Sequence, residues 1–429
     1  MAVATHTQEI IRAHLAWSQA DPFLDNHSLR VIEDGAVVFE GAQIVSVGPF
    51  HGICAHYPDA LVHDHKGCWL IPGLVDAHLH FPQTLSRAQP GHQLLEWLSG
   101  SIFPAELALV DPEHAHHVAE LFTRALIRSG TTAAAVFGSQ FLQANLSLLQ
   151  QLEATPIEVF LGPSLMDQNA PDGLITPAQT VWDDAQTLKN AMAKNPRQHF
   201  ALTPRFALSC SDELVEVCRS LVQADPHLLV QTHINESPAE IDAVSAMFPS
   251  ARSYFDVYIQ QGLVSDRMLL AHSIHTSEQE LEAMSRCCVN VVHCPTSNAY
   301  LGSGIHPLRQ HREAGVRVCL GTDVGAGLYF SLLDELKSAY LLQKLRGDTL
   351  TLAHLLDLAT RAGASAMGLS DRERGFQAGG VADFVLIDPS HALLPPDDRS
   401  PEQNLFSAIM TSGSKLIAQV WAAGKSQWG

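Results

Sequence analysis

The chain has 429 residues, 46% hydrophobic and 17% charged, so it can bury a large core and is neither disordered nor fibrous. Its 45 acidic against 26 basic residues give a formal charge of −19, which argues against nonspecific binding to nucleic acid or an anionic membrane and suits a neutral or cationic small substrate. No apolar stretch is long enough to span a bilayer, and Met1-Ala2-Val3-Ala4-Thr5-His6 lacks the basic and apolar regions of a signal peptide, so a cytoplasmic protein is expected.

In chain order, residues 36–48 read as two short strands around a Gly turn, and Trp69-Leu70-Ile71-Pro72-Gly73-Leu74-Val75 as a buried strand. Short apolar runs then recur at 74–80, 131–137, 157–162, 200–206, 228–234, 268–274, 289–295 and 316–323. Helical patterns separate them: residues 112–127 end at Ser129-Gly130, and the segment from Ser277 to Arg286 carries a helix-start signature. Eight such runs alternating with helices predict an α/β fold, a (β/α)8 barrel. Residues 382–388 and 416–421 add strand-like pattern after the last barrel helix, and the terminal pieces are expected to form one small β-sandwich. The expected organisation is sandwich over 1–71, barrel over 72–370, and the rest of the sandwich over 371–429, with the proline-rich stretch from Leu393 to Pro401 as a surface loop.

The chemistry gathers at the C-terminal ends of the runs, where barrels assemble their sites. In His78-x-His80 the two imidazoles share one strand face and can chelate one cation. Later runs end in His233, His272 and Asp323. One divalent ion held by His78, His80, His233 and Asp323 would keep a position for water and lower its pKa toward about 7. Glu236, three residues past His233, is the natural proton shuttle, and His272 hydrogen-bonds the nucleophile or stands as a distant fifth ligand. None of the second to fourth runs ends in a lysine able to bridge two metals, because Lys189 and Lys194 read as part of a polar helix. A single ion is therefore expected, zinc first and iron second, since nitrogen and oxygen donors suit both. The eight cysteines are scattered, and Cys294 reads as a strand-end thiol supporting a turn.

Pro72-Gly73-Leu74-Val75-Asp76-Ala77-His78-Leu79-His80 resembles the opening metal motif of the amidohydrolase superfamily. Further blocks resemble its guanine deaminase family: Phe81-Pro82-Gln83, Gln93-Leu94-Leu95-Glu96-Trp97-Leu98 with Phe103-Pro104-Ala105-Glu106, Thr203-Pro204-Arg205-Phe206, His233-Ile234-Asn235-Glu236, and Gly321-Thr322-Asp323. The resemblance implies hydrolysis of guanine to xanthine and ammonia in purine catabolism, by a homodimer. It further implies that Arg205 donates to the purine carbonyl, Gln83 matches a ring edge, and Phe206, Trp97 and Leu98 sandwich the ring. In that mechanism Glu236 protonates a ring nitrogen next to C2, and Asp323 passes a water proton to the departing amine. Two alternatives stand beside it: deamination of a related heterocycle such as 8-oxoguanine, a pterin, cytosine or a triazine, and a non-catalytic assembly protein on the same barrel.

Overall fold

The computed structural model describes residues 8–89, 94–392 and 395–428. Gln93, Leu393, Leu394 and the opening Met1-Ala2-Val3-Ala4-Thr5-His6, read above from sequence, lie outside these.

The first four strands are β1 (Glu9–Ser18), β2 (Leu29–Glu40), β3 (Gln43–Pro49) and β4 (Leu61–Pro72). The hairpin between β2 and β3, legible from Gly41, turns through that residue at φ +57°. The sequence hides β4. Its first half, with His63, Asp64, His65 and Lys66, has the polarity of a loop, and its second half merges with the next strand into one apolar run. The run Trp69 to Val75 is thus not a single strand, as expected from its composition, but the end of β4 and the start of β5 (Leu74–His80), which belong to different sheets. The chain crosses over at Gly73, whose N–H donates to Asp383 O at 3.0 Å while Leu74 N–H donates to Gly130 O at 3.0 Å. A Cβ at Gly73 would stand 2.1 Å from Thr132 Oγ1, so only glycine lets the two sheets diverge this tightly.

From β5 the chain builds eight parallel strands in sequence order, continuing with β6 (Thr131–Gly138), β7 (Glu158–Pro163), β8 (Gln198–Leu202), β9 (Leu229–Ile234), β10 (Met268–His272), β11 (Asn290–His293) and β12 (Arg317–Leu320). Helices such as Pro112–Arg128, Ala178–Met192 and Glu278–Arg286 cover them, the last with a capping box from Ser277 and Glu280. The ends of the ladder meet: Asp323 N–H, just past β12, donates to His78 O on β5 at 2.8 Å. The sheet is therefore a nearly closed barrel. Lys194 departs from expectation, lying in the turn after the helix Ala178–Met192, which caps at Ala193.

Three more strands, β13 (Phe384–Ile387), β14 (Ile417–Ala422) and β15 (Lys425–Trp428), join the first four in the order β15-β14-β13-β4-β1-β2-β3. This sheet curls on itself, because Gln43 at one end bridges to Val381 beside β13. Ile11, Val37, Phe39, Leu70, Phe384 and Trp421 fill the space between. Both termini thus make one small sandwich beside the barrel. Among the described residues no helix is long and apolar enough to cross a membrane. Gly73→Ala should cost about 1–3 kcal/mol through its clash with Thr132. A thermal melt should show the loss and show part of it returned by Thr132→Ala in the same chain; an unshifted midpoint for the single variant would mean the crossover is not tight.

Candidate functional site

β5 is buried along its whole length, and its alternation turns Asp76, His78 and His80 to one face. His78 Nδ1 donates to the side-chain oxygen of Gln231 at 2.8 Å, and His233 Nδ1 donates to the backbone oxygen of Arg205 at 2.6 Å. Each of these bonds fixes a tautomer and leaves Nε2 as a bare acceptor. His78 Nε2 is buried without a hydrogen-bond partner and lies 3.3 Å from Asp323 Oδ1. His80 Nε2 lies 3.2 Å from the same oxygen and 3.2 Å from His233 Nε2. Three imidazole nitrogens and one carboxylate oxygen thus stand within 4.8 Å of one another. Burial pushes His80 down to about 4 and, helped by the neighbouring His78, His80 and His272 rings, holds His233 well below its ordinary value. Burial works to raise the Asp323 carboxyl, but His78 and His80 hold it well below the usual range. Neutral imidazoles beside an ionised carboxylate are the donor set a divalent cation takes, so these residues fit one.

Asp76, assigned nothing from sequence, ties the first and last barrel strands together. Its carboxyl accepts from Thr322 N–H at 3.0 Å, Thr322 Oγ1 at 2.5 Å and His78 N–H at 3.2 Å, and burial raises it to about 7.

Glu236 follows β9 just before the helix Pro238–Met247. Its N–H donates to Glu240 Oε2 at 2.9 Å, and Ser303 Oγ donates to its Oε1 at 3.3 Å. Burial pushes its carboxyl up to about 7. His272, at the end of β10, donates from Nδ1 to Asn298 Oδ1 at 2.9 Å. Its Nε2 stands 3.5 Å from Glu236 Oε2 and 3.9 Å from Asp323 Oδ2. Burial opposes charge on His272, but Glu236 and Asp323 outweigh it and raise its pKa. Beside it Cys294 is buried within metal-ligand range of His272 and Asp323, and burial raises its thiol well above the ordinary value, which makes it a poor ligand.

A pocket opens directly over this centre, and Gln83, Trp97, Leu98, Arg205 and Phe206 all line it together with His80, His233, Glu236, His272 and Asp323. Every site residue singled out from sequence therefore faces this pocket except His78, which lies buried beneath it. Leu94, Glu240, Leu301 and Ala326 complete the wall and were given no role from sequence. Trp97 Nε1 is buried without a partner, so this ring has a donor to offer as well as an apolar face. The larger omission is Glu106, which is buried and bonded to both Arg205 and Gln83; its place in the Phe-Pro-Ala-Glu block was the one available hint.

Residues 69–426 match the model of the amidohydrolase family. The chain belongs to the amidohydrolase family and groups with its guanine deaminases. A probable guanine deaminase of Deinococcus radiodurans is 37% identical over 97% of this chain and 98% of its own length. The solved E. coli guanine deaminase superposes with a TM-score of 0.93 at 32% identity, covering 98% of this chain and 99% of that one. A guanine deaminase of C. acetobutylicum, solved with guanine in its active site, superposes at 0.90 with 27% identity over 98% and 100% of the two chains.

Stripped with chelator, the protein should take up about one zinc ion per chain by calorimetry and melt at a higher temperature once loaded. His233→Ala should lose both effects, and a variant that still binds one equivalent with unaltered affinity would place the cation elsewhere.

Proposed function

We propose that this chain hydrolyses guanine to xanthine and ammonia, a step of purine catabolism, using one divalent cation, zinc in preference to iron, held by His78, His80, His233 and Asp323. The observation that carries the reading is the pocket itself. It sets a buried guanidinium, an amide and aromatic walls above an acid with a pKa near neutrality and a cluster of metal-competent donors. When bound, the cation supplies the charge that makes water acidic enough to attack near neutral pH.

Arg205 donates to the purine carbonyl, Gln83 binds the ring edge, and Trp97, Leu98 and Phe206 hold the flat ring and exclude bulk water. Because burial raises the Glu236 carboxyl to about 7, it is divided between its protonated and ionised forms near neutral pH and can both give and take back a proton. It delivers that proton to the ring nitrogen beside C2 as water adds to C2. Asp323 accepts one proton of the water and passes it to the exocyclic nitrogen, which leaves as ammonia, and the hydroxyl proton remaining on the C2 oxygen returns to Glu236 as that oxygen becomes the product carbonyl. His272, held by Asn298, hydrogen-bonds the oxygen as charge grows on it. Within the expected bounds the described residues of 73–370 carry this chemistry, whereas Pro72 still belongs to strand β4 of the sandwich. The working form is a cytoplasmic homodimer, a reading to which Leu341 and Leu345 lend support as two leucines four residues apart on the helix Leu332–Leu345, 58% and 77% exposed.

Glu236→Gln should lower kcat by roughly 10²–10⁴-fold with the cation still present by elemental analysis; near-normal xanthine formation would remove Glu236 from proton transfer. Arg205→Ala should lower kcat/KM for guanine by the worth of a charged hydrogen bond, about 1.5–3 kcal/mol. An unchanged constant would take Arg205 out of base recognition.

A further inference from the structure

Glu106 is 1% exposed and joins three side chains at one carboxylate. Arg205 Nη1 donates to its Oε1 at 3.0 Å and its Oε2 at 2.7 Å, Gln83 Nε2 to Oε1 at 3.0 Å, and Gln140 Nε2 to Oε2 at 3.0 Å. Burial alone would raise this carboxyl, but the charge and hydrogen bonds of Arg205, with the Gln83 amide, hold it below its ordinary value, so it is ionised at neutral pH. An ionised carboxylate only accepts. Gln83 must therefore turn its amide nitrogen toward Glu106 and its oxygen away. That oxygen packs over Gly325, where a Cβ would come within 1.9 Å of it, and it has no hydrogen bond among the described residues. Gln83 and Arg205 line the pocket, whereas Glu106 stands behind them.

We propose that Glu106 is a positioning residue that sets the hydrogen-bonding polarity of the pocket, holding Arg205 as a donor and Gln83 as an acceptor so that the site selects bases with a ring carbonyl beside a ring N–H. The inference rests on the guanine reading and adds the source of its selectivity. Guanine carries that edge at C6=O and N1–H. 2-Aminopurine keeps the same exocyclic amine but has no carbonyl and a bare N1, which would meet the Gln83 oxygen as acceptor against acceptor. Such a mismatch is rejected far more strongly than a difference in apolar packing.

Glu106→Gln reverses the polarity without changing shape. The shorter Arg205 contact is to Oε2, the oxygen shared with Gln140, so the surviving oxygen takes that side and the new amide nitrogen faces Gln83. Gln83 then turns over and offers its own nitrogen to the pocket. The measured quantity is the ratio of kcat/KM for guanine to that for 2-aminopurine, with cation content and melting temperature as checks on the fold. The ratio should fall at least about 100-fold in Glu106→Gln, with guanine losing mainly through KM. Glu106→Asp keeps an acceptor-only carboxylate and should retain the preference; its loss there as well would assign the effect to shape and overturn the proposal. A ratio unchanged in Glu106→Gln, with guanine still hydrolysed by the unaltered chain, overturns this inference alone. An unaltered chain that makes no xanthine from guanine overturns both readings. Should Glu106→Gln fail to fold, Gln83→Met removes the acceptor beside an intact Glu106 and should collapse the same ratio, and a retained preference there is equally fatal.

Discussion

The hydrogen bond from Asp323 N–H to His78 O, 2.8 Å long, closes the barrel, and the site exists because it closes there. The Asp76 carboxyl reinforces the seam by gripping Thr322 on a segment 246 residues away. A parallel ladder can bring distant strand ends to one rim only if its first and last members meet in register. Here the seam lies beneath the donors it assembles, so the same few bonds that complete the sheet fix where His78 and Asp323 stand.

Around that seam the backbone accepts unusual conformations. Asn235, His272, Ser273 and Asp323 all have positive φ, between +48° and +73°, at the ends of β9, β10 and β12. Each costs about 1 kcal/mol or more for a residue with a Cβ. Hydrogen bonds at the same positions offset the cost: His306 Nδ1 donates to His272 O at 2.9 Å, and Ser273 N–H to Ile234 O at 2.9 Å. The strain lies where side chains must turn inward from strand ends toward one point. In this buried space the Glu106 carboxylate is matched by the Arg205 guanidinium, while Asp323 stands beside neutral imidazoles as one donor among four.

Much of this was legible in the sequence because it is written locally. A two-residue spacing puts His78 and His80 on one face whatever surrounds them, and apolar runs ending in His233, His272 and Asp323 announce both strand and rim. Glu106, Gln231 and Asn298 were not legible, because each acts through a partner far along the chain and carries no periodic signature; Asp76 shares the two-residue spacing of His78 and His80, but its partner Thr322 lies 246 residues away. The boundary between the sheets was concealed for a different reason. Composition reads straight through Gly73, and what divides the run there is Thr132, a neighbour that appears only once β6 is folded beside it.

Arg205 serves two masters from one residue. Its backbone oxygen orients His233 at 2.6 Å, while its side chain reaches the pocket. Amino-acid replacement alters the second and spares the first, since every residue brings a carbonyl. A lineage can therefore exchange the group that reads the substrate without dismantling the reactive centre, which gives this architecture a ready route to new specificities.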